Sequence, residues 1–112
     1  MSAVLSRTYR VIDGEESHAL TVTWGEPFAA SDIEWVCQVT FDEVGGSSRQ
    51  FSSRGADAVQ ALYIGLCMAA TELLTWPGEV CWIERDDDLG LPTSQFLRYL
   101  VDERAQRYRT SR

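Results

Sequence analysis

The chain has 112 residues, of which 45% are hydrophobic and 24% charged, with a formal net charge of −7 at pH 7. This length predicts one domain, residues 1–112, and this composition excludes intrinsic disorder. The acidic balance argues against binding to nucleic acid or to anionic membranes, because both need clustered cations. No apolar run approaches the ~20 residues of a membrane span, and residues 1–10 lack the apolar core of a signal peptide.

The first half of the chain has the apolar alternation of β-strands. The segments that carry it are residues 4–12, 18–24, 33–43 and 49–53. The first two are joined by the Asp13-Gly14 turn, and Pro27 ends the second. In the third and clearest strand, the side chains expected to face the core are Ile33, Trp35, Cys37, Val39 and Phe41. These segments predict an antiparallel meander with one solvated face.

The apolar period changes to that of a helix between residues 57 and 75. The side chains expected to face the core are Val59, Leu62, Tyr63, Leu66, Ala70, Leu73 and Leu74. Asp57 suits the helix N-terminus, and Trp76-Pro77 ends the helix. A second apolar stripe consists of Ala61, Ile64, Gly65 and Met68. It predicts burial on a second side, against either a C-terminal helix or a second subunit.

The last third of the chain predicts one more strand and one more helix. Residues 79–84 read as a short strand and residues 94–108 as a C-terminal helix. The predicted fold class is therefore α+β. It is an antiparallel β-meander of about four to five strands packed on one long central helix, plus the C-terminal helix.

Two short motifs give the chain a resemblance to a known family. Gly55-x-Asp57-x-x-Gln60-Ala61-Leu62 is followed downstream by Asp88-Leu89-Gly90-Leu91-Pro92. Over about residues 5–95 the chain resembles small uncharacterised bacterial domains with a strand meander, a G-x-D-x-x-Q-A-L helix and a D-L-G-x-P loop. The resemblance implies a compact α+β fold and no assigned activity, so it supplies no functional residues.

The residue types used in catalysis and metal binding do not cluster in the sequence. His18 is the single histidine, and Cys37, Cys67 and Cys81 lack the paired spacing of a zinc site. We therefore predict that the protein is not an enzyme and has no metal and no cofactor. Because each cysteine lies in an apolar segment, we expect buried free thiols in a reducing compartment, the cytoplasm.

The acidic residues concentrate in the front third of the chain. Between Arg10 and Arg49 there is no cation other than His18, against eight acids. An acidic face on a rigid sheet attracts a basic partner and speeds its association. We expect a protein-binding module, most concretely an immunity-type inhibitor that neutralises a basic toxin or effector. The expected partner-binding residues are Glu16, Glu26, Asp32, Glu34 and Asp42, with Trp24 as an anchor.

Two other functions stay open at this point. A homodimeric structural or regulatory domain would pair through Ala61, Ile64, Gly65 and Met68, and its mass in solution would reveal the pair. A small-molecule-binding or enzymatic domain would have a pocket between helix and sheet, lined by Gln60, Tyr63 and acids.

Overall fold

Six strands and one helix make up the part of the chain that the computed structural model describes, residues 3–84 and 89–92. They are β1 (Ala3–Asp13), β2 (Glu16–Gly25), β3 (Phe28–Ala29), β4 (Trp35–Glu43), β5 (Ser48–Gly55), α1 (Ala58–Leu74) and β6 (Glu79–Cys81). The predicted α+β class is confirmed, but the sheet has six strands instead of the four to five predicted, because the two-residue β3 has no alternation to indicate it. The predicted C-terminal helix lies outside the described residues. Within them, no helix has the length and hydropathy to span a membrane.

The strands form one antiparallel sheet. In space, β5 lies beside β4, β4 beside β2, β2 beside β1, and β1 beside β6. The short β3 pairs with the first two residues of β4, whereas β2 pairs with residues 39–43 of β4. Because β5 takes the other edge of β4, β2 and β3 lie in line along the same edge. Among the six strands of the described residues, β5 and β6 are therefore the outermost.

One face of the sheet carries most of the core, and the other face is polar. The buried side chains on the covered face include Tyr9, Val11, Leu20, Val22, Trp24, Cys37, Val39 and Phe41. The opposite face, here the open face, presents Thr8, Arg10, Thr21, Thr23, Gln38, Thr40 and Asp42. This alternation confirms the predicted inward positions of β4, with one exception. Ile33 lies before β4 and is 83% exposed, so its predicted core position is wrong.

The helix α1 buries part of each predicted apolar stripe. Ala70 and Leu73 are buried as predicted, and partly buried side chains of the same stripe pack against the core: Leu62, Leu66 and Leu74. Ala61, Gly65 and Ala69 are also buried against the strands, whereas Val59 is 78% and Tyr63 is 53% exposed. The predicted core positions of Val59 and Tyr63 are therefore wrong. The physical reason is close approach, because small side chains let the helix backbone come near the strands.

Candidate partner-binding surface

The connection from β2 to β4 forms a small hairpin at one end of the sheet. The carbonyl of Glu34 accepts hydrogen bonds from the amides of Ala30 (2.8 Å) and Ser31 (3.2 Å). The amide of Ile33 donates to the Ser31 hydroxyl at 3.3 Å. Together with the pairing of β3 to β4, these bonds fix the backbone of the loop. We name residues 26–34 the acidic hairpin.

Two large apolar side chains of the acidic hairpin are exposed. Ile33 is 83% and Phe28 is 46% exposed, and Ile33 is the most exposed large hydrophobic residue of the described ranges. Glu26 and Asp32 beside them are also exposed, and neither forms an ion pair with another described residue. Apolar side chains rimmed by charge are typical of a protein interface.

The third acid of the hairpin is already neutralised. A carboxylate oxygen of Glu34 forms an ion pair with the Arg54 guanidinium on β5, and both side chains are partly exposed. A surface pair of this kind contributes up to ~1 kcal/mol to stability, but it occupies the carboxylate. Glu26 and Asp32 are therefore the hairpin acids whose charge is open to a partner.

The other two predicted acids lie at the opposite end of the sheet. Glu16 approaches the His18 imidazole at 3.6 Å, and Asp42 accepts a hydrogen bond from the Ser48 hydroxyl at 2.7 Å. Glu34 and Asp42 are eight residue steps apart, which is roughly 26 Å at about 3.3 Å per residue of strand. The structure thus places the five acids in two separated groups, of which only the hairpin group adjoins exposed Phe28 and Ile33.

Trp24 is not available as an exposed anchor, so that prediction is corrected. Its side chain is 2% exposed, and its indole Nε1 donates a hydrogen bond to the Gly65 carbonyl at 3.1 Å. The reason is its position on β2, where it continues the inward phase of Leu20 and Val22 and lies under α1. Trp24 is a core residue.

The residues proposed for the alternative functions do not form one surface. Ala61 and Gly65 are buried against the sheet, Ile64 is half-buried, and Met68 is 36% exposed. The prediction of a dimer interface made of these four residues is therefore wrong, because two of them are buried against the sheet and cannot contact a second copy. Tyr63 faces solvent instead of a pocket between helix and sheet.

The first sequence motif builds the start of α1. The Asp57 carboxylate accepts a hydrogen bond from the Gln60 amide at 2.8 Å, and the Gln60 side-chain oxygen accepts from the Ala56 amide at 2.6 Å. This is a variant of the capping box, in which the returning hydrogen bond comes from the residue before the N-cap, and it satisfies two backbone donors at the helix N-terminus. A Cβ on Gly55 would lie 2.5 Å from the Ala61 nitrogen, so the turn requires glycine. The role of Gln60 is structural.

The described part of the second motif is held to β1 by side chains. The Tyr9 hydroxyl donates to the Leu89 carbonyl at 2.8 Å, and Arg7 donates to the carbonyls of Leu89 (3.1 Å) and Gly90 (2.7 Å). The Arg7 guanidinium also lies 4.1 Å from the centre of the Trp82 ring. Both Leu89 and Gly90 have positive φ, which makes the sharp turn that these bonds need. This motif too is structural.

A family model described as a domain of unknown function, DUF6968, matches residues 5–93. The chain belongs to the DUF6968 family. The match spans the capping box and the whole of the second motif, and it confirms the predicted resemblance to a family without an assigned activity. No curated protein and no solved structure matches the chain.

Phe28 and Ile33 are the surface residues of this DUF6968 domain that sequence reasoning missed. Ile33 continues the apolar alternation of β4, so periodicity alone placed it inside. The sequence did contain one indication that Ile33 is exposed, because the acids Asp32 and Glu34 flank it. In the structure the strand begins only at Trp35. Phe28 follows Pro27 at the end of β2, where a strand pattern is broken.

The remaining chemistry of the DUF6968 domain is that of buried thiols. Cys37 and Cys81 are free and buried, and Cys67 is free and half-buried. Burial raises the pKa of Cys37, because a thiolate is poorly solvated there, and a hydrogen bond with Ser53 opposes this in part. Within residues 3–84 and 89–92 there is no group of three histidine, cysteine or acidic side chains that could hold a metal ion.

Proposed function

We propose that this domain is a protein-binding module that docks on a basic partner through the acidic hairpin. The observation that carries the proposal is the position of Ile33, 83% exposed, beside Asp32 on a hydrogen-bonded turn. The finer proposal is that the protein is an immunity-type inhibitor. It neutralises a toxin or effector by covering the basic surface that the effector uses.

The apolar part of the hairpin supplies affinity. Burying a side chain such as Ile33 or Phe28 in a complex is worth about 1.5–3 kcal/mol each, before the cost of association. The hydrogen bonds of Ala30, Ser31 and Ile33 hold the loop in place before the partner arrives. Pre-organisation of this kind reduces the ordering cost of binding.

The charge supplies recognition and speed. The chain carries a net charge of −7, and Glu26 and Asp32 are exposed without a counter-charge in the described ranges. An enzyme that acts on nucleic acid must present cations to phosphates, so an acidic protein complements and blocks its surface. Glu16 and Asp42 lie too far along the sheet to touch the same contact. They add to the long-range attraction.

We place the domain in the bacterial cytoplasm. The buried free thiols of Cys37 and Cys81 are compatible with a reducing compartment, where disulfides are rare. An inhibitor that protects the cell producing a toxin is needed in that compartment.

The experiment that tests the proposal compares two aspartate substitutions. Ile33→Asp removes the apolar centre of the acidic hairpin, and Val44→Asp makes the same change at a side chain 67% exposed in the turn between β4 and β5. Each immobilised full-length protein is incubated with lysate of the cells that produce it. The retained proteins are identified by mass spectrometry after washes at about 0.1 M and about 1 M salt, where the screening length falls from about 10 Å to about 3 Å.

The expected result is a basic protein that is retained by the wild type and by Val44→Asp, lost with Ile33→Asp, and weakened by salt. Retention of the same protein by Ile33→Asp contradicts the hairpin as the contact. Retention of the chain alone, with a solution mass of about 25 kDa, twice the 12.6 kDa of one chain, contradicts the proposal and favours the homodimer.

A further inference from the structure

Arg10 is an exposed cation that forms no ion pair with a described residue. Each of the other arginines in residues 3–84 and 89–92 donates to a carbonyl or carboxylate oxygen: Arg7, Arg49 and Arg54. Arg10 instead donates to the Sγ of Cys81 at 3.7 Å, and a thiol is a weak acceptor. This contact orients the guanidinium and leaves most of its donors open to a ligand.

A cavity of about 450 Å³ lies beside Arg10 on the open face of the sheet. β1 and β2 contribute residues 8–10 and 17–19 to its lining, and Trp82 and Ile83 after β6 complete it. Arg10 is paired with Ala19 across the two strands, so a single methyl group occupies the position beside the guanidinium. The volume lies within the range of sites for small molecules.

Two hydroxyl groups flank Arg10 in this cavity. Thr8 lies two residues before Arg10 on β1, and Ser17 lies two residues before Ala19 on β2. Because side chains alternate along a strand, all four point to the open face. Side chains at such diagonal positions are at most about 7–8 Å apart. One small ligand can therefore contact the guanidinium and a hydroxyl at the same time.

One wall of the cavity is apolar. Trp82 is 40% and Ile83 is 69% exposed, and both line it. The Arg7 guanidinium lies 4.1 Å from the centre of the Trp82 ring and holds the ring in place. A ligand that covers this wall excludes water from the space beside Arg10, which strengthens an ion pair formed there.

We propose that this cavity binds a small organic carboxylate with an apolar or aromatic body. The Arg10 guanidinium binds the carboxylate through paired hydrogen bonds, which are the strongest kind that a neutral-pH side chain offers to this group. The body of the ligand lies over Ala19 and against Trp82 and Ile83. The site contains no residue of the acidic hairpin, so it does not depend on the function proposed above.

The charges around the cavity favour a ligand with a single negative charge. Among the described residues that line it, Arg10 is the permanent cation, and the His18 imidazole lies 3.6 Å from Glu16. One guanidinium balances one carboxylate. It would leave a doubly charged phosphate only half neutralised on a chain whose net charge is −7.

The acids of the open face leave room for such a ligand. No described carboxylate lines the cavity. Asp42 is two strands and two residues from Arg10 in the pairing, about 12 Å at about 4.8 Å per strand and 3.3 Å per residue. That distance exceeds the screening length of about 8 Å at physiological salt. Glu79 on β6 is nearer, but its side chain is buried.

The probe is benzoate, titrated into the isotope-labelled full-length protein and followed by the amide signals of the cavity residues. Benzamide has the ring without the charge, acetate has the charge without the ring, and inorganic phosphate replaces the carboxylate. Arg10→Gln removes the cation, and Ala19→Leu fills the cavity without a change of charge. Arg54→Gln is the matched control, since it makes the same change in net charge on β5. Thermal unfolding of each variant checks that the fold is kept.

We expect benzoate to shift the amide signals of residues 8–10 and 17–19, with a Kd of about 1 mM or below. Arg10→Gln and Ala19→Leu should each weaken this binding at least about tenfold, and Arg54→Gln should change it by less than about twofold. Benzamide and acetate should each bind at least about tenfold more weakly than benzoate, because each lacks one of the two interactions.

Several results would overturn the proposal. One is the absence of shifts at these residues with about 10 mM benzoate. Equal binding of benzamide would assign the cavity to neutral ligands, and equal binding of inorganic phosphate would leave only an exposed arginine. Equal losses in Arg10→Gln and Arg54→Gln would mean that net charge attracts the carboxylate and that the cavity does not.

Discussion

The indole Nε1 of Trp24 donates a hydrogen bond of 3.1 Å to the backbone carbonyl of Gly65. This bond joins the covered face of β2 to the middle of α1. The Ser53 hydroxyl makes a similar link, since it donates to the Ala61 carbonyl at 2.8 Å. Polar side chains of the sheet can reach the helix backbone only because a residue without a side chain lies at the crossing point.

Gly65→Ala should therefore destabilise the protein. An added Cβ would lie 2.9 Å from the Ser53 Oγ and 3.4 Å from the Val39 side chain. We expect overpacking to cost about 1–3 kcal/mol in the free energy of unfolding, which outweighs the gain of up to ~1 kcal/mol in helix propensity. Urea unfolding measures the difference, with Thr71→Ala on an exposed side of α1 as the control. A variant more stable than wild type would show that the helix does not need this close approach.

Loss of the capping box should weaken the start of α1. Asp57→Ala removes the acceptor of the Gln60 amide and should lower the free energy of unfolding by about 1 kcal/mol. Asp57→Asn keeps an acceptor of similar reach, so its stability should stay close to that of wild type. Equal stability of the alanine and asparagine variants in urea unfolding would mean that the cap contributes nothing.

The sequence was sufficient to predict five of the six strands and the ends of the helix, but not the two-residue β3. Alternation placed Leu20 and Val22 on one face, and Asp57 and Pro77 marked the limits of α1. The phase of α1 was predicted only in part. Ala70 and Leu73 are buried as expected, whereas Val59 and Tyr63 are exposed. The reason is that the helix carries a single charged residue, Glu72. With no polar stripe to mark the solvent side, close approach of small residues decides which side is buried, and that depends on the strands beneath.

The candidate site was predictable in charge but not in shape. The composition of the front third indicated an acidic surface, and Glu26 and Asp32 are exposed as expected. The exposure of Ile33 was not predicted. Ile33 continues the apolar alternation of β4, but it lies in the hairpin before the strand begins, and there its side chain faces solvent. Trp24 was expected to be exposed because it lies at the end of β2, beside the loop that contains Pro27. Only the position of α1 over β2 shows that it is buried.

Tyr9→Phe should loosen the segment of residues 89–92. The substitution removes the hydroxyl that donates to the Leu89 carbonyl and leaves a buried acceptor with fewer partners. We expect a loss of about 1 kcal/mol in the free energy of unfolding. Tyr63→Phe deletes an exposed hydroxyl and should change stability by less than about 0.5 kcal/mol. Chemical denaturation of both variants measures the two free energies of unfolding. Equal losses of stability would mean that the hydrogen bond from Tyr9 to Leu89 contributes nothing specific.

Cys37 should make stability depend on pH in the alkaline range. Burial raises the pKa of Cys37 above its usual 9.0, so the native state holds this proton more tightly than the unfolded state does. The unfolded state then loses its proton first, and stability falls as pH rises from about 9 through the native pKa, by up to ~1.4 kcal/mol per pH unit. Cys37→Ala should show a shallower decline between about pH 8 and about pH 10 in urea unfolding. Parallel curves would assign the decline to other groups.

Charge reversal in the acidic hairpin should slow binding to the partner. The partner here is the basic protein that the wild type and Val44→Asp retain from lysate and Ile33→Asp does not. Glu26 and Asp32 lack counter-charges among the described residues, so the double variant Glu26→Lys, Asp32→Lys reverses the local potential. We expect the association rate to fall about tenfold or more at low salt, with a weaker salt dependence, and the dissociation rate to change less. Surface plasmon resonance at several salt concentrations measures these rates. The double variant Glu16→Lys, Asp42→Lys makes the same change in net charge at the opposite end of the sheet, so it is the matched control and should slow association less. If it slows association as much as the hairpin variant, recognition does not lie in the hairpin.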